Sequence, residues 1–319
     1  MKIRAAGTIL LAFLTLPFMH SAWACSSCGC SLSSDWASQG YASGEGLRFD
    51  LRYDYFNQNE LRGGTHRVDR AALGIPNDRE IQQSTVNRNY ILAIDYSPNA
   101  DWGFNLQLPY SDRFHTTIAP GDEDISVSNG KGVGDVRLMA RYQALTPERD
   151  TGVQLGVKFA TGRFHQSFID GPRVGEPLDR GLQLGTGTTD IVVGVYNFGA
   201  LGKDWEYFAQ ALVQQPLSSR ESFRPGVGLN FNVGLRYVAI ERVVPQLQIN
   251  VRTEGREKGD NADVENSGAT LAYLSPGIAV TLARNLQAYG FVQLPIYQRV
   301  NGLQIEPRYT VSVGLRYSL

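Results

Sequence analysis

Three cysteines near the N-terminus have a spacing that could do chemistry. Cys25, Cys28 and Cys30 are the only cysteines among the 319 residues. Three thiolates this close together suit a soft metal ion such as Cu(I) or zinc. In an oxidising compartment, the same residues would instead form a Cys25–Cys28 disulfide with one thiol left over. The disulfide is favoured, because no histidine or acidic residue nearby completes a coordination shell. Covalent c-type haem is excluded, since Gly29 stands where that motif needs a histidine.

A second candidate is His165-Gln166-Ser167. A serine nucleophile needs a base within hydrogen-bonding reach and a third group that orients the base. The tripeptide is similar to the local arrangement in outer-membrane phospholipase A, so a lipase is kept as a remote alternative. His165 lies outside any alternating segment, however, and Arg113-Phe114-His115 repeats its Arg-Phe-His sequence without a following serine. We interpret both histidines as rim features and expect no enzyme.

The segments that must position these residues alternate apolar and polar side chains. In the last one, Tyr309, Val311, Val313, Leu315 and Tyr317 occupy every second position. A period of two predicts a strand with one apolar face. Twelve such segments occur, near 47–55, 89–96, 102–110, 135–142, 153–159, 190–198, 205–214, 228–238, 246–254, 271–282, 286–297 and 309–319. Each has about the nine to eleven residues with which a tilted strand crosses a bilayer.

The connections between these segments alternate between long and short. Outer-membrane barrels have short periplasmic turns, longer external loops and an even number of strands. The sequence therefore predicts an all-β, transmembrane, antiparallel up-and-down barrel of twelve strands, with both termini in the periplasm. Aromatic residues near the segment ends fit the girdles at the membrane surfaces. Where both faces of a segment are apolar, we expect Phe208, Tyr289 and Phe291 to point into the lumen.

The polar positions of the segments carry charges of both signs. The predicted lumen-lining residues are Arg48, Asp50, Arg52, Asp135, Arg137, Arg141, Lys158, Asp190, Arg236, Arg252 and Arg316. Either these charges pair and fill the lumen of a small barrel, or they form a lining that selects the permeant. A slight cationic excess would favour anions weakly.

Three prolines occupy similar places near the outer ends of strands. They are Pro109, Pro216 and Pro295. Proline cannot donate a hydrogen bond to a strand ladder, so pairing is interrupted there. The prolines mark where strands leave the sheet or, as an alternative, kinks that open the wall sideways for an apolar solute.

The N-terminus reads as an export signal. Lys2 and Arg4 precede an apolar stretch at 5–19, and Ala22-Trp23-Ala24 is a small-x-small cleavage site. We expect a signal peptide at 1–24, a flexible periplasmic segment with the cysteines at 25–45, and a barrel at 46–319 in the cell outer membrane. Because a cysteine is the first residue after the cleavage site, lipoprotein processing with lipidation of Cys25 is an alternative.

Several motifs carry a family resemblance. Gly132-Val-Gly-Asp135, Lys158-Phe-Ala-Thr-Gly162, Leu184-Gly-Thr-Gly-Thr-Thr-Asp190 and the stretch 294–304 resemble patterns in the outer-membrane family named for the meta-pathway of phenol degradation. More loosely, they are similar to the long-chain fatty-acid channel type. The resemblance covers about residues 46–319 and implies transport of small, often aromatic or apolar, molecules.

The expected partners follow from charge and architecture. The net charge of −1 gives no footprint for nucleic acid. We expect contact with outer-membrane lipid and lipopolysaccharide, a small-molecule permeant and a periplasmic partner. No cofactor is expected beyond a soft metal ion at the cysteines. The rival interpretation is a membrane-anchored metal-binding or redox docking protein that uses Cys25, Cys28 and Cys30.

Overall fold

A computed structural model describes residues 36–40 and 44–319. The signal peptide predicted at 1–24 and the cysteines Cys25, Cys28 and Cys30 lie outside the described residues. The predictions made for them therefore stay predictions.

The described chain is built almost entirely of strands. They are β1 (Gly46–Gly64), β2 (His66–Arg67), β3 (Ile81–Ser97), β4 (Trp102–Ile118), β5 (Ser126–Val133), β6 (Arg137–Tyr142), β7 (Thr151–Lys158), β8 (Asp190–Leu201), β9 (Trp205–Pro216), β10 (Gly228–Tyr237), β11 (Val243–Glu254), β12 (Ala269–Ala283) and β13 (Leu286–Ser318). Three short 3-10 helices lie at Ala37–Gln39, Arg70–Ala72 and Arg180–Leu182. Among the residues described, no helix has both the length and the apolar character needed to cross a membrane.

The strands form one antiparallel sheet that closes on itself. Neighbouring strands follow one another along the chain, and β13 pairs both with β12 and with β1. Eleven strands make up this closed wall, while β2 pairs with β1 and β5 pairs with β4 outside the main path. The predicted antiparallel barrel is confirmed.

The final strand, β13, accounts for a difference from the sequence prediction. Residues 286–300 of β13 pair with β12, and residues 300–318 pair with β1. Gly302, between the two regions, has a left-handed φ of 56°. Two of the twelve predicted segments, 286–297 and 309–319, therefore belong to the single element β13, which gives eleven strands in the wall when β13 is counted once. The two halves of β13 lie side by side, since Ser318 N donates to Asn285 O (2.9 Å) and a Cβ on Gly290 would lie 3.7 Å from Ser312 O.

Side chains alternate between the two surfaces of the wall. Leu51 is 53% exposed and Leu315 is 48% exposed, whereas Asp50 and Arg316, next to them in the chain, are 5% and 6% exposed. An apolar outer surface and a polar inner one are the reverse of a soluble barrel, whose core is apolar. The strand pattern read from the sequence therefore maps directly onto outside and inside.

The two ends of the barrel differ in the length of their connections. At one end the turns are short, at 98–101, 143–150, 202–204, 238–242 and 284–285. At the other end the connections between wall strands are longer, at 65–80, 119–136 (which includes β5), 159–189, 217–227 and 255–268. The backbone of Leu319 donates a hydrogen bond to Leu47 (2.9 Å), so the first and last residues of the wall meet at the short-turn end.

Candidate functional site

The wall is interrupted between β5 and β6, at residues 134–136. Both strands pair with β4, which changes partner from β5 to β6 opposite Pro109. The backbone N–H of Gly134 donates to the carbonyl of Pro109 (3.0 Å). Since β6 and β7 are short, the wall above this break is completed by the connection 159–189 instead of by strands.

Asp135 fastens that connection to the break. Its Oδ1 accepts a hydrogen bond from Gly162 N (3.0 Å), and its Oδ2 accepts from both the N–H and the hydroxyl of Thr186 (each 3.0 Å). Lys158 Nζ lies 3.2 Å from Asp135 Oδ2 and 2.9 Å from Asp190 Oδ2. The three charged side chains are at most 8% exposed. We call Asp135, Lys158, Gly162, Thr186 and Asp190 the Asp135 network.

Two glycines allow the chain to cross itself at this point. A Cβ atom on Gly162 would lie 2.7 Å from the Cα of Gly185, and one on Gly185 would lie 2.5 Å from the carbonyl oxygen of Gly162. Both distances are shorter than any side chain tolerates. The hydroxyl of Thr161 adds a bridge, since it accepts from Val136 N (2.8 Å) and donates to Gly134 O (2.9 Å).

The Asp135 network joins three of the motifs that carry the family resemblance. Gly132–Asp135, Lys158–Gly162 and Leu184–Asp190 are far apart in sequence, yet all three contribute to the break. The two carboxylates and the lysine are occupied by one another and by the backbone and hydroxyl groups of the loop. What this arrangement can do is hold a long loop in a fixed place over the lumen.

A cavity of about 190 Å³ lies against the Asp135 network. It is an open cavity, lined by the long-loop ends of the strands and by the connections 159–189, 217–227 and 255–268. Its charged lining consists of Arg113, Lys158, Arg180 and Arg252 together with Asp135, Asp190, Glu254 and Glu257. Four of the sequence-predicted lumen charges, Asp135, Lys158, Asp190 and Arg252, therefore meet here, while Arg113, Arg180 and Glu257 were not among the predicted residues.

Other predicted lumen charges form ion pairs nearer the short-turn end. Asp95 lies between Arg48 (3.2 Å) and Arg141 (3.0 Å). Similar pairs are Arg52–Asp54 (3.1 Å), Arg316–Asp50 (3.8 Å) and Arg236–Glu206 (2.9 Å). The remaining two predicted residues lie higher, where Arg137 donates to Gln214 (2.9 Å) and Arg252 pairs with Glu254 (2.8 Å). These predicted charges are therefore paired in the structure, and the choice between a filled lumen and a selective lining stays a prediction.

A chain of buried, uncharged polar side chains runs along the inner face of the wall, from β7 through β9, β10, β11 and β12 to β13. Gln210 donates to Gln154 (2.9 Å), Asn232 donates to Gln210 (3.3 Å) and Asn250 donates to Asn232 (2.8 Å). The series continues from Ser275 to Asn250 (2.6 Å) and from Gln293 to Ser275 (3.4 Å). Sequence reasoning looked for charges and missed these uncharged residues, although each lies at a polar position of its strand.

The described part of the N-terminal segment lies inside the barrel. The ring centroids of Trp36 and Tyr289 are 4.6 Å apart, and the guanidinium of Arg316 lies 4.3 Å from the centroid of the Trp36 ring. On the other side of the lumen, Ser38 accepts a hydrogen bond from Gln210 (2.9 Å). We call residues 36–40 the N-terminal strap. The strap narrows the lumen near the short-turn end.

The predicted inward aromatics lie as expected. Phe208, Tyr289 and Phe291 are at most 7% exposed, whereas the neighbouring Val292 is 40% exposed on the outer surface. The hydroxyl of Tyr289 donates to Asp50 (2.8 Å). Phe291 packs on the strap, with ring centroids of Trp36 and Phe291 6.1 Å apart.

The three prolines have different surroundings. Pro216 is the last residue of β9, so it marks where that strand leaves the sheet. Pro295 lies beside an irregularity of the β12–β13 ladder between Ala272 and Tyr273. Pro109 faces the break at 134–136. Sideways opening at any of them stays a prediction.

The two Arg-Phe-His sequences end in different places. His165 is a surface residue, with its side chain 69% exposed and Nε2 3.0 Å from a carboxylate oxygen of Glu221. The interpretation as a rim feature is wrong for His115, which is fully buried and pairs its Nδ1 with the hydroxyl of Thr85 (2.7 Å). The reason is that β4 continues to Ile118, so His115 lies on the inner face of a strand.

Four buried carboxyl groups, those of Glu80, Asp179, Glu257 and Asp263, lie near one another within the long connections. Burial raises the pKa of Asp179 well above its usual range, and the nearby charges of Glu257, Asp263 and Glu80 raise it further. Burial likewise raises the pKa of Asp263 to about 6, against hydrogen bonds from Asn266 that lower it. Within residues 36–40 and 44–319, no group of three or more histidines, cysteines or acids is arranged to hold a metal ion.

Comparisons with known proteins bear on the fold. No protein-family model and no curated protein sequence matches the chain. Among solved structures, an outer-membrane channel from Pseudomonas putida F1 superposes with a TM-score of 0.65 at 12% identity, over 90% of this chain and 99% of that one. The fold is that of an outer-membrane channel. At this identity the likeness concerns the fold alone.

Two further solved structures superpose more loosely. The toluene transporter TbuX of Ralstonia pickettii has a TM-score of 0.48 at 11% identity, over 86% of this chain and 90% of that one. The monoaromatic hydrocarbon channel CymD has a TM-score of 0.46 at 10% identity, over 86% of this chain and 89% of that one. Both are too distant to bear on the permeant of this chain.

Proposed function

We propose that this protein is a channel for small molecules in the outer membrane of a Gram-negative cell, exported by the signal peptide at 1–24. The observation that carries the proposal is the closed wall with an apolar outer surface and a polar lumen. In hydrocarbon, an open sheet edge would leave backbone groups without hydrogen bonds, and a closed wall removes that edge. A polar lumen in turn gives a hydrophilic route through the membrane.

The orientation is part of this proposal. If β13 crosses the membrane twice, along 286–300 and again along 303–318, and β5 extends β6, the wall makes twelve passes. With an even number of passes, the first and last residues of the wall lie on the same side of the membrane. In outer-membrane barrels the short turns face the periplasm, which places Gly46 and Leu319 there. The cavity then opens towards the outside, and the N-terminal strap lies on the periplasmic side.

The resemblance to the meta-pathway family favours aromatic or apolar permeants, and that family assignment belongs to the same proposal. The lumen itself favours polar ones. Its lining carries ion pairs and amide groups, and an apolar solute would displace water from them without offering hydrogen bonds in return. A route for polar molecules agrees better with these residues.

Reconstitution of the purified full-length protein tests the proposal. Proteoliposomes that contain the protein should swell in isosmotic solutions of small sugars or amino acids, and planar bilayers should show discrete conductance steps. Liposomes with heat-unfolded protein serve as the control. A wild-type protein and a strap-deleted protein that both leave liposomes impermeable would contradict a channel.

A further inference from the structure

The cavity beside the Asp135 network has a lining of balanced charge. Four cationic side chains, Arg113, Lys158, Arg180 and Arg252, face four carboxylates, Asp135, Asp190, Glu254 and Glu257. The formal charges cancel. Gln183, Gln214 and Asn230 add three amide groups that can both donate and accept.

The size of the cavity limits what it can hold. Its volume is about 190 Å³, and an apolar cavity of roughly 150 Å³ is enough to bind benzene. A molecule of roughly six to eight non-hydrogen atoms would therefore fit. The chemistry of the lining is nevertheless the opposite of a benzene site, because a hydrocarbon would desolvate charged groups without replacing their hydrogen bonds.

The ion pairs in the lining decide which polar molecules fit. Arg252 pairs with Glu254 (2.8 Å), and Lys158 is shared between Asp135 and Asp190. A ligand of a single charge that takes one partner of such a pair leaves the other partner buried without a counter-charge, which is strongly unfavourable. A ligand that carries both charges replaces both partners at once.

The guanidinium of Arg180 is also held in a fixed place. It lies 4.4 Å from the ring centroid of Phe164 and 5.0 Å from that of Phe223. Its Nη1 pairs with Glu221 (3.2 Å) on the connection 217–227, and its Nη2 donates to Thr186 O (3.2 Å) in the Asp135 network. Both Nη atoms are thus engaged, and the buried Nε, which has no hydrogen-bond partner, is the donor that Arg180 offers to a carboxylate.

We propose that this cavity is a binding site for a small zwitterion, a molecule with one carboxylate and one ammonium group a few bonds apart. Its carboxylate would meet the guanidinium groups of Arg180 and Arg252, and its ammonium group would meet Glu254 and Glu257. The proposal rests on the proposed channel function, since it names the class of molecule that the channel passes.

Matched probes test the proposal directly. Isothermal titration of the full-length protein in detergent compares 4-aminobutyrate with butyrate, butylammonium and toluene; the first three share a four-carbon chain and differ in charge. We expect 4-aminobutyrate to bind at least tenfold more tightly than each of the other three. Equal or tighter binding of butyrate, butylammonium or toluene would overturn the proposal, as would no measurable binding of 4-aminobutyrate.

Two charge-removing variants give opposite signatures. Arg252→Gln leaves the cavity with net negative charge, so its preference should shift towards butylammonium. Glu254→Gln leaves net positive charge and should shift the preference towards butyrate. The matched controls are Arg284→Gln and Glu241→Gln, exposed residues at the short-turn end, which should keep the wild-type order of affinities. A loss of affinity for all probes alike in both lining variants, with folding intact by circular dichroism, would indicate a structural role and overturn the site.

The channel itself is measured in parallel. If liposomes still swell but the protein does not bind 4-aminobutyrate more tightly than the other probes, the zwitterion site is contradicted and the channel is supported. Preferential binding of 4-aminobutyrate by a protein that leaves liposomes impermeable has the reverse meaning: the site holds and the channel fails.

Discussion

At the scale of single residues, Asp135 is the side chain at the break that makes the most polar contacts with the connection 159–189. It accepts three hydrogen bonds from the connection 159–189 and pairs with Lys158. Asp135→Asn keeps the shape of the side chain but turns one acceptor into a donor and removes the charge. We expect this variant to destabilise the connection by roughly 1–3 kcal/mol.

Hydrogen exchange of residues 159–189 measures the effect of Asp135→Asn. Exchange there should become faster, while the ladders of β1 and β3 should keep wild-type protection. The control is Asp112→Asn, which removes a partly exposed pair with Lys131 (3.1 Å) and should change little. Equal exchange in both variants would show that Asp135 does not fasten the loop.

Asp263 makes the long-loop end sensitive to pH. Its pKa is raised from 3.8 to about 6, so the folded loop keeps a proton that the unfolded chain releases. Stability is therefore full below pH 3.8, falls as the pH rises to about 6 and is constant above it; the loss is roughly 3 kcal/mol. The groups that face Asp263 are Asn266, Glu80, Asp179 and Glu257, with His115 3.9 Å from Glu80.

Asp263→Asn should reduce this dependence, because an amide oxygen can still accept from Asn266 but cannot ionise. The measurement is hydrogen exchange of residues 255–268 at several pH values, corrected for the intrinsic exchange rate. Wild-type protection should decline between pH 4 and pH 6, and the decline in the variant should be smaller, with only Asp179 left to titrate there. An unchanged decline in the variant would assign the titration to another group.

At the scale of elements, the N-terminal strap closes part of the lumen. Trp36 fills the space between Tyr289 and Arg316, and a Cβ on Gly40 would lie 2.6 Å from the Phe198 side chain, with Gly40 at a φ of 78°. Trp36→Ala removes the largest side chain of the strap. We expect larger single-channel conductance in planar bilayers. Trp102→Ala, an outward tryptophan 45% exposed, is the matched control and should keep wild-type conductance.

The crossing of Gly162 and Gly185 admits no side chain. Gly162→Ala would bring its Cβ to 2.7 Å from the backbone of Gly185, so the connection 159–189 should separate from the break. Limited proteolysis should then cut within 159–189 faster than in the wild type. Gly290→Ala, whose Cβ meets no atom closer than 3.7 Å, should be cut at the wild-type rate. Similar rates for both variants would contradict the close approach.

The elements were more predictable from the sequence than their junctions. Alternation predicts the parts of β1, β8 and β12 in which one face is mainly apolar. The continuation of β1 to Gly64 was not predicted, because Asn57 and Asn59 interrupt the apolar face after Tyr55. The strap was harder to predict: residues 36–40 have no period, and their contacts are with residues more than 150 positions away. The break at 134–136 was visible only as glycine-rich motifs, since a sequence pattern does not say which distant loop will cover it.

At the scale of the whole molecule, the outer surface is the test of the membrane proposal. Val195 lies near the middle of β8 and is 56% exposed. In water, arginine at an exposed strand position would change stability little. On a lipid-facing surface, Val195→Arg should lower the free energy of unfolding by roughly 2–4 kcal/mol if the residue lies near the bilayer centre. Folding into lipid vesicles under urea measures this, with Val195→Leu as the control. A neutral Val195→Arg would contradict a lipid-facing wall.

The architecture as a whole followed from the sequence because barrel closure depends on features that a chain displays locally. Apolar alternation and the sorting of connections by length need no knowledge of distant contacts, and both agree with the structure. The interior followed only in part. Charged residues such as Arg48 and Lys158 stand out at polar positions, whereas the cavity beside Arg113 and Phe223 depends on where three loops fold.

The pairing of β13 with β1 has a consequence for biogenesis. The seam joins Arg48 to Ser318 at one end and Gly64 to Val300 at the other, so the ring is sealed by the strands that are made first and last. A nascent chain that lacks only residues 300–319 could form all the other strand pairs, but two strands would still have an unpaired edge. Closure of the ring therefore has to wait until residues 300–318 have been made, and until then the exposed edge of β1 must be kept from pairing with another chain.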